Sequence, residues 1–89
     1  MAVDIASIPV ARTRRSRLRG LAFRRRSRAG PGLLIPGCRS VHTFGVLFRL
    51  DLYFLDSEGE VIEQRRSVPP GRVVSCRRAG SVLEIPSSR

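Results

Sequence analysis

From residue 33 onward the chain runs in short apolar stretches, most of them closed by glycine or proline, and that rhythm restricts the fold more than any other feature. Leu33-Leu34-Ile35 stops at Pro36-Gly37. Ser40 to Phe48 alternates. His42, Phe44, Val46 and Phe48 fall on one face and Val41, Thr43, Gly45 and Leu47 on the other, the period of a half-buried strand. Leu50 to Leu55 is apolar and aromatic except for Asp51, which suits a central strand buried on both faces. Asp56-Ser57-Glu58-Gly59 has Asp first and Gly last, the order a β-turn favours. Glu60 to Arg66 returns as an amphipathic strand with Val61 and Ile62 inside, and Pro69-Pro70-Gly71 breaks it. Arg72 to Cys76 and Ser81 to Ile85 are two further strands around an Arg77-Arg78-Ala79-Gly80 turn. Short strands at such spacing predict a small antiparallel β barrel or sandwich.

Before residue 33 the pattern differs. Ile5 to Val10 reads as a short strand ended by Pro9. Thr13 reads as a helix N-cap for Arg14 to about Leu21, with Leu18, Leu21 and Ala22 at i, i+3, i+4 as the buried stripe. Arg14 and Arg15 sit in the first turn, where the helix dipole disfavours cations, so packing must hold this helix. The class is therefore mainly β, α+β at the margin, with one short N-terminal helix. At 89 residues the chain reads as a single domain, 1–89, with 1–7 a loose terminus.

Charge is segregated. Residues 12–28 hold nine arginines (Arg12, Arg14, Arg15, Arg17, Arg19, Arg24, Arg25, Arg26 and Arg28) and no acid. Residues 29–89 hold eight arginines against six acids, so most of the net charge of +10 belongs to one segment. Such a segment attracts phosphates in a salt-dependent, sequence-independent way, which makes weak binding of nucleic acid or another polyanion one expectation. Only Phe23 is interleaved with these arginines, so base stacking is not indicated. The bland reading is compositional: all 17 basic residues are Arg, a bias that GC-rich coding produces, and solvated arginines then need no purpose.

No stretch approaches the ~18–20 apolar residues that span a bilayer, and the N-terminal charges follow the weakly apolar stretch, the reverse of a secretory signal. The expectation is a cytoplasmic monomer without membrane contact. Cys38 and Cys76 read as thiols, with a disulfide between them the alternative.

Four blocks carry a family resemblance. Arg17-Leu18-Arg19-Gly20-Leu21-Ala22-Phe23-Arg24 resembles the R-x-x-G-L-x-x-R helix of domain-of-unknown-function family 192, and Gly32-Leu33-Leu34-Ile35-Pro36 resembles its G-[LM]-L-F-x-P strand. Ser40 to Asp56, SVHTFGVLFRLDLYFLD, is similar to the family's S-V-H-T…F-L-D signature. Val68-Pro69-Pro70 through Cys76, then Val82-Leu83-Glu84-Ile85-Pro86, resembles its closing blocks. The match runs over 8–86 in order and implies a compact, mostly β, barrel-like domain. No activity, ligand or partner is established for the family, so the resemblance carries none over. Arg49 stands where the family has Pro and Val46 where it has Met. The chain stops at Arg89, before a glycine-containing tail that supplies a last strand. A missing last strand would leave Ser81 to Ile85 as an open edge, and the sequence leaves that question open.

The residues that could carry chemistry are few. His42, the lone histidine, and Asp51 could form a hydrogen-bonded imidazole–carboxylate pair. With Thr43 they are the candidate ligand, enzymatic or structural site. The structural alternative weighs more, because a carboxylate between Leu50 and Leu52 must be paired or hydrogen-bonded. Cys38, His42 and Cys76 lack the C-x2-C knuckle of a zinc site, and Asp56, Glu58, Glu60 and Glu63 lack the pattern of a calcium loop. Gly30-Pro31-Gly32 lacks the Lys and the following helix of a phosphate loop. No catalytic residue, metal or cofactor is assigned. The expectation is a small non-catalytic binding or structural module.

Overall fold

The computed structural model describes residues 8–11, 20 and 30–88. Six strands follow in order: β1 (Leu33–Pro36), β2 (Ser40–His42), β3 (Leu50–Leu55), β4 (Val61–Val68), β5 (Val73–Ser75) and β6 (Ser81–Pro86). They form a four-stranded sheet, β1-β6-β3-β4, and a two-stranded sheet, β2-β5, with every strand pairing antiparallel.

β3 behaves as its composition demands. It lies between β6 and β4, and Leu50, Leu52 and Phe54 are fully buried on the inner face while Asp51 and Leu55 are buried on the other. Register brings Ile35, Val82 and Phe54 to one row, and Leu33, Glu84 and Leu52 to the next. Val41, Val46, Val68, Ala79 and Ala11 complete this core, with Cys38, Phe48, Val74 and Cys76 packed at its margin.

The expected barrel does not form: neither sheet closes on itself. The reason lies at Pro69-Pro70. Proline has no N–H to continue a ladder, so the chain leaves the large sheet after Val68 and returns as β5, which pairs only with β2. The C-terminal strand is not an open edge. β6 is paired on both sides, and the edges of the large sheet are β1 and β4. Residues 9–11 run beside β1, with Ala11 N–H donating to Leu34 O at 2.8 Å and Leu34 N–H to Pro9 O at 2.9 Å. Val10 and Leu34 form a parallel bridge there. Among the described residues that leaves β4 as the unpaired edge, carrying Glu63, Arg65 and Arg66, charges that discourage edge-to-edge pairing.

Two sequence expectations differ in detail. The alternating stretch Ser40 to Phe48 is a strand only to His42, because Thr43 to Val46 turns, with Gly45 at φ +80°, the sign a type II turn needs at its third position. Val61, expected inside, is 53% exposed. The helix expected at residues 14–21 lies outside the described residues except for Gly20, whose φ of +55° is not right-handed helical. The described residues contain no helix. Of the expected Ile5–Val10 strand, residues 5–7 likewise fall outside them, and Val10 forms only an isolated bridge.

Candidate functional site

Thr43 is the junction of two loops. It is fully buried at the point where β2 ends. Its hydroxyl donates to Pro69 O and accepts from Arg72 N–H, both at 2.8 Å. Its own N–H donates to Arg72 O at 2.8 Å, and its carbonyl accepts from Val46 N–H and Gly71 N–H, both at 3.2 Å. A hydroxyl is one donor and two acceptors, which lets a single side chain bind both ends of the 69–72 loop. Loop 43–47 and loop 69–72 are thereby fastened into one platform.

The side chains around that junction point outward. His42 is exposed, and its ring lies 5.8 Å from that of Phe44, tilted by 32°. Phe44 is 55% exposed, Leu47 61% and Val73, opposite His42 across β2-β5, 64%. Four large side chains in solvent on a hydrogen-bonded platform are more informative than single exposed apolar residues.

Asp51 sits elsewhere, on β3 of the large sheet, and is buried. Its Oδ1 accepts the Ser67 N–H at 2.8 Å. The local cause is a β-bulge: Leu50 opposes Val68 and Leu52 opposes Arg65, so Arg66 and Ser67 together face Asp51. Ser67 adopts φ +56°, unusual for a residue with a Cβ. The carboxylate takes the N–H that the bulge removes from the ladder, and Arg49 Nη1 donates to Ser67 O at 2.9 Å. Arg49 thus clamps the bulge from the other side. A depression of about 290 Å³ lies beside it, lined by Asp51, Arg66, Ser67, Ser87 and Ser88. Asp56 plays the parallel part in the β3-β4 turn, its Oδ1 accepting Glu58 N–H at 2.9 Å and Glu60 N–H at 3.0 Å.

Of the three candidate site residues, His42 and Thr43 are therefore neighbours on the platform, and Asp51 belongs to the bulge of the other sheet. No group of three or more His, Cys, Asp or Glu among the described residues is arranged to hold a metal ion. Cys38 and Cys76 are thiols, the Cys38 Sγ donating to Ser40 O at 3.1 Å. The nine arginines of 12–28 lie outside the described residues.

Glu84 is the residue that sequence reading undervalued. It is 2% exposed on the inner face of β6, between Leu33 and Leu52. Its signal was available: it lies two positions after Val82, on the same face of a strand that is otherwise apolar there. Gly20 stands against it, so close that a Cβ would approach Oε1 to 2.9 Å. Gly20 is thus required for both its positive φ and the space it leaves to this carboxylate.

Among the described residues no helix is long and apolar enough to cross a membrane. Two solved structures share the fold. One is a protein of unknown function from Novosphingobium aromaticivorans DSM 12444, with TM-score 0.75, 21% identity, 89% of this chain and 61% of that one covered. The other is a putative transcription regulator from Sinorhizobium meliloti 1021, with TM-score 0.78, 22% identity, and 90% and 67% covered. This chain thus spans about three fifths to two thirds of the length of those proteins. No curated protein matches it. The family model for DUF192, described as Uncharacterized ACR, matches residues 2–89. With that match covering nearly every residue, the chain belongs to the DUF192 family.

Proposed function

We propose that this chain is a non-catalytic binding module, monomeric by itself, whose recognition surface is the platform around Thr43. The observation that carries the reading is the contrast between a fully buried, multiply bonded Thr43 and the exposed His42, Phe44, Leu47 and Val73 around it. Rigid backbone presenting exposed aromatic and apolar groups suits recognition, because little conformational entropy remains to be lost on binding. Thr43 and Asp51 serve the scaffold in this reading, and His42 serves contact. The test compares wild type with His42→Ala and Phe44→Ser in capture of partners from a cell extract, with melting temperature as the control. Capture lost from variants of unchanged stability supports the module. Capture that ignores both substitutions refutes it.

A second reading is polyanion binding through Arg12 to Arg28, supported by nine arginines with no intervening acid. It predicts binding to unrelated RNA and DNA oligomers alike, weakening steeply with salt. A ligand or enzymatic site shared by His42 and Asp51 has less support, since the Asp51 carboxylate already holds the Ser67 N–H.

A further inference from the structure

A different set of arginines lines an open cleft between the small sheet and the exposed edge strand β4. The cleft measures about 820 Å³. Arg39 enters it just ahead of β2, and Arg77 and Arg78 from the turn between β5 and β6. All three are exposed, and among the described residues none is in an ion pair. Among the described residues that line the cleft the one acid, Glu63, is engaged by Arg65 at 3.0 Å. Ser40 and Ser75 face each other across β2-β5 there, with Ser75 Oγ donating to Ser40 Oγ at 2.8 Å. Whichever serine donates, the other keeps a hydroxyl proton to give away. The turn that carries Arg77 and Arg78 is closed by Ala79 N–H to Cys76 O at 3.2 Å. It is anchored beyond by Gly80 N–H to Leu55 O at 2.7 Å and Gly37 N–H to Gly80 O at 2.8 Å. The two guanidinium groups therefore project from a fixed base.

We infer that this cleft is a binding site for a small phosphate-bearing molecule, with two phosphate groups held by Arg39, Arg77, Arg78 and the Ser40–Ser75 hydroxyls. Guanidinium groups match phosphate oxygens in paired hydrogen bonds, and three of them exceed what one monoanion needs. The cleft falls within the size range of small-molecule sites and leaves room for an organic moiety on Ile62. The inference does not depend on the platform around Thr43 or on the arginines of 12–28.

The test titrates the full chain with inorganic diphosphate at fixed ionic strength and follows backbone amides by NMR, with sulfate as the comparison anion. The expected result is shifts centred on Ser40, Ser75 and Cys76 to Arg78, larger for diphosphate than for sulfate. Arg77→Gln or Arg78→Gln should weaken binding by about fivefold or more, while Arg66→Gln, the same charge change on β4, should alter it less than about twofold. These side chains are exposed, so the variants should fold, and a melting curve checks that. Shifts centred elsewhere, no preference over sulfate, or equal losses for all three variants would overturn the inference. So would duplex DNA binding that depends on Arg77 and Arg78 in a chain that ignores diphosphate.

Discussion

Replacing Thr43 by valine keeps the shape of the side chain and deletes one hydroxyl. That hydroxyl donates to Pro69 O and accepts from Arg72 N–H, both at 2.8 Å, in a side chain with no solvent exposure. Two hydrogen bonds are lost, and a carbonyl and an N–H are left against a methyl group. At about 0.5–1.5 kcal/mol per bond, with 1–3 kcal/mol for a buried group left unsatisfied, the cost comes to about 2–4 kcal/mol. A chain of 89 residues has a total stability of roughly 5–13 kcal/mol, so this is a large share. It corresponds to a fall in melting temperature of about 10–20 °C. Thr43→Ser keeps the hydroxyl and removes one methyl, and should cost only about 1 kcal/mol. Urea unfolding of both variants gives the comparison, with the slope expected to match wild type because the area exposed on unfolding is unchanged. If Thr43→Val is as stable as Thr43→Ser, the hydroxyl does not fasten the two loops and the platform argument fails.

Asp51→Ala deprives the Ser67 N–H of its acceptor and should destabilise by about 1–3 kcal/mol in the same assay. A neutral result would show that water serves the bulge equally well. Ser67→Gly relieves the left-handed conformation and is expected to be neutral or to stabilise by up to about 1 kcal/mol, whereas Ser67→Val should clearly destabilise; the reverse order would contradict the bulge assignment. Gly20→Ala should cost at least about 1 kcal/mol, from the left-handed backbone and the crowding of Glu84, and a stabilised variant would refute that. For the arginines of 12–28, contact with four or five phosphates gives a log–log salt slope of about −3 to −4. Binding that persists at high salt would mark a dedicated nucleic-acid reader.

What the sequence made legible was decided by local rules. β3 could be read because a continuous apolar run has no exposed face, and the Asp56 turn because Asp and Gly occupy the positions their chemistry prefers. The end of the strand at His42 is hidden, because alternation continues in the letters after Gly45 has already reversed the chain. Sheet closure is not legible, because strand count and spacing do not specify which edges meet. That depends on Pro69 and Pro70 ending one ladder, and on β6 inserting between β1 and β3. At the candidate site the residue types were legible and their juxtaposition was not. Asp51 had to be satisfied, but its partner is a backbone N–H made available by a bulge that no side-chain pattern announces. The cleft of Arg39, Arg77 and Arg78 required the β2-β5 pairing, which joins residues 35 positions apart.

The platform reading rests on side chains that the fold displays without needing them, and the unfolding free energy of the double variant Phe44→Ser with Leu47→Ser tests this most directly. These side chains are 55% and 61% exposed, so the account expects a change within about 0.5 kcal/mol per site and a native spectrum. A loss of about 3 kcal/mol or more would show that Phe44 and Leu47 help hold the fold together, and would contradict the claim that they form a surface kept for a partner.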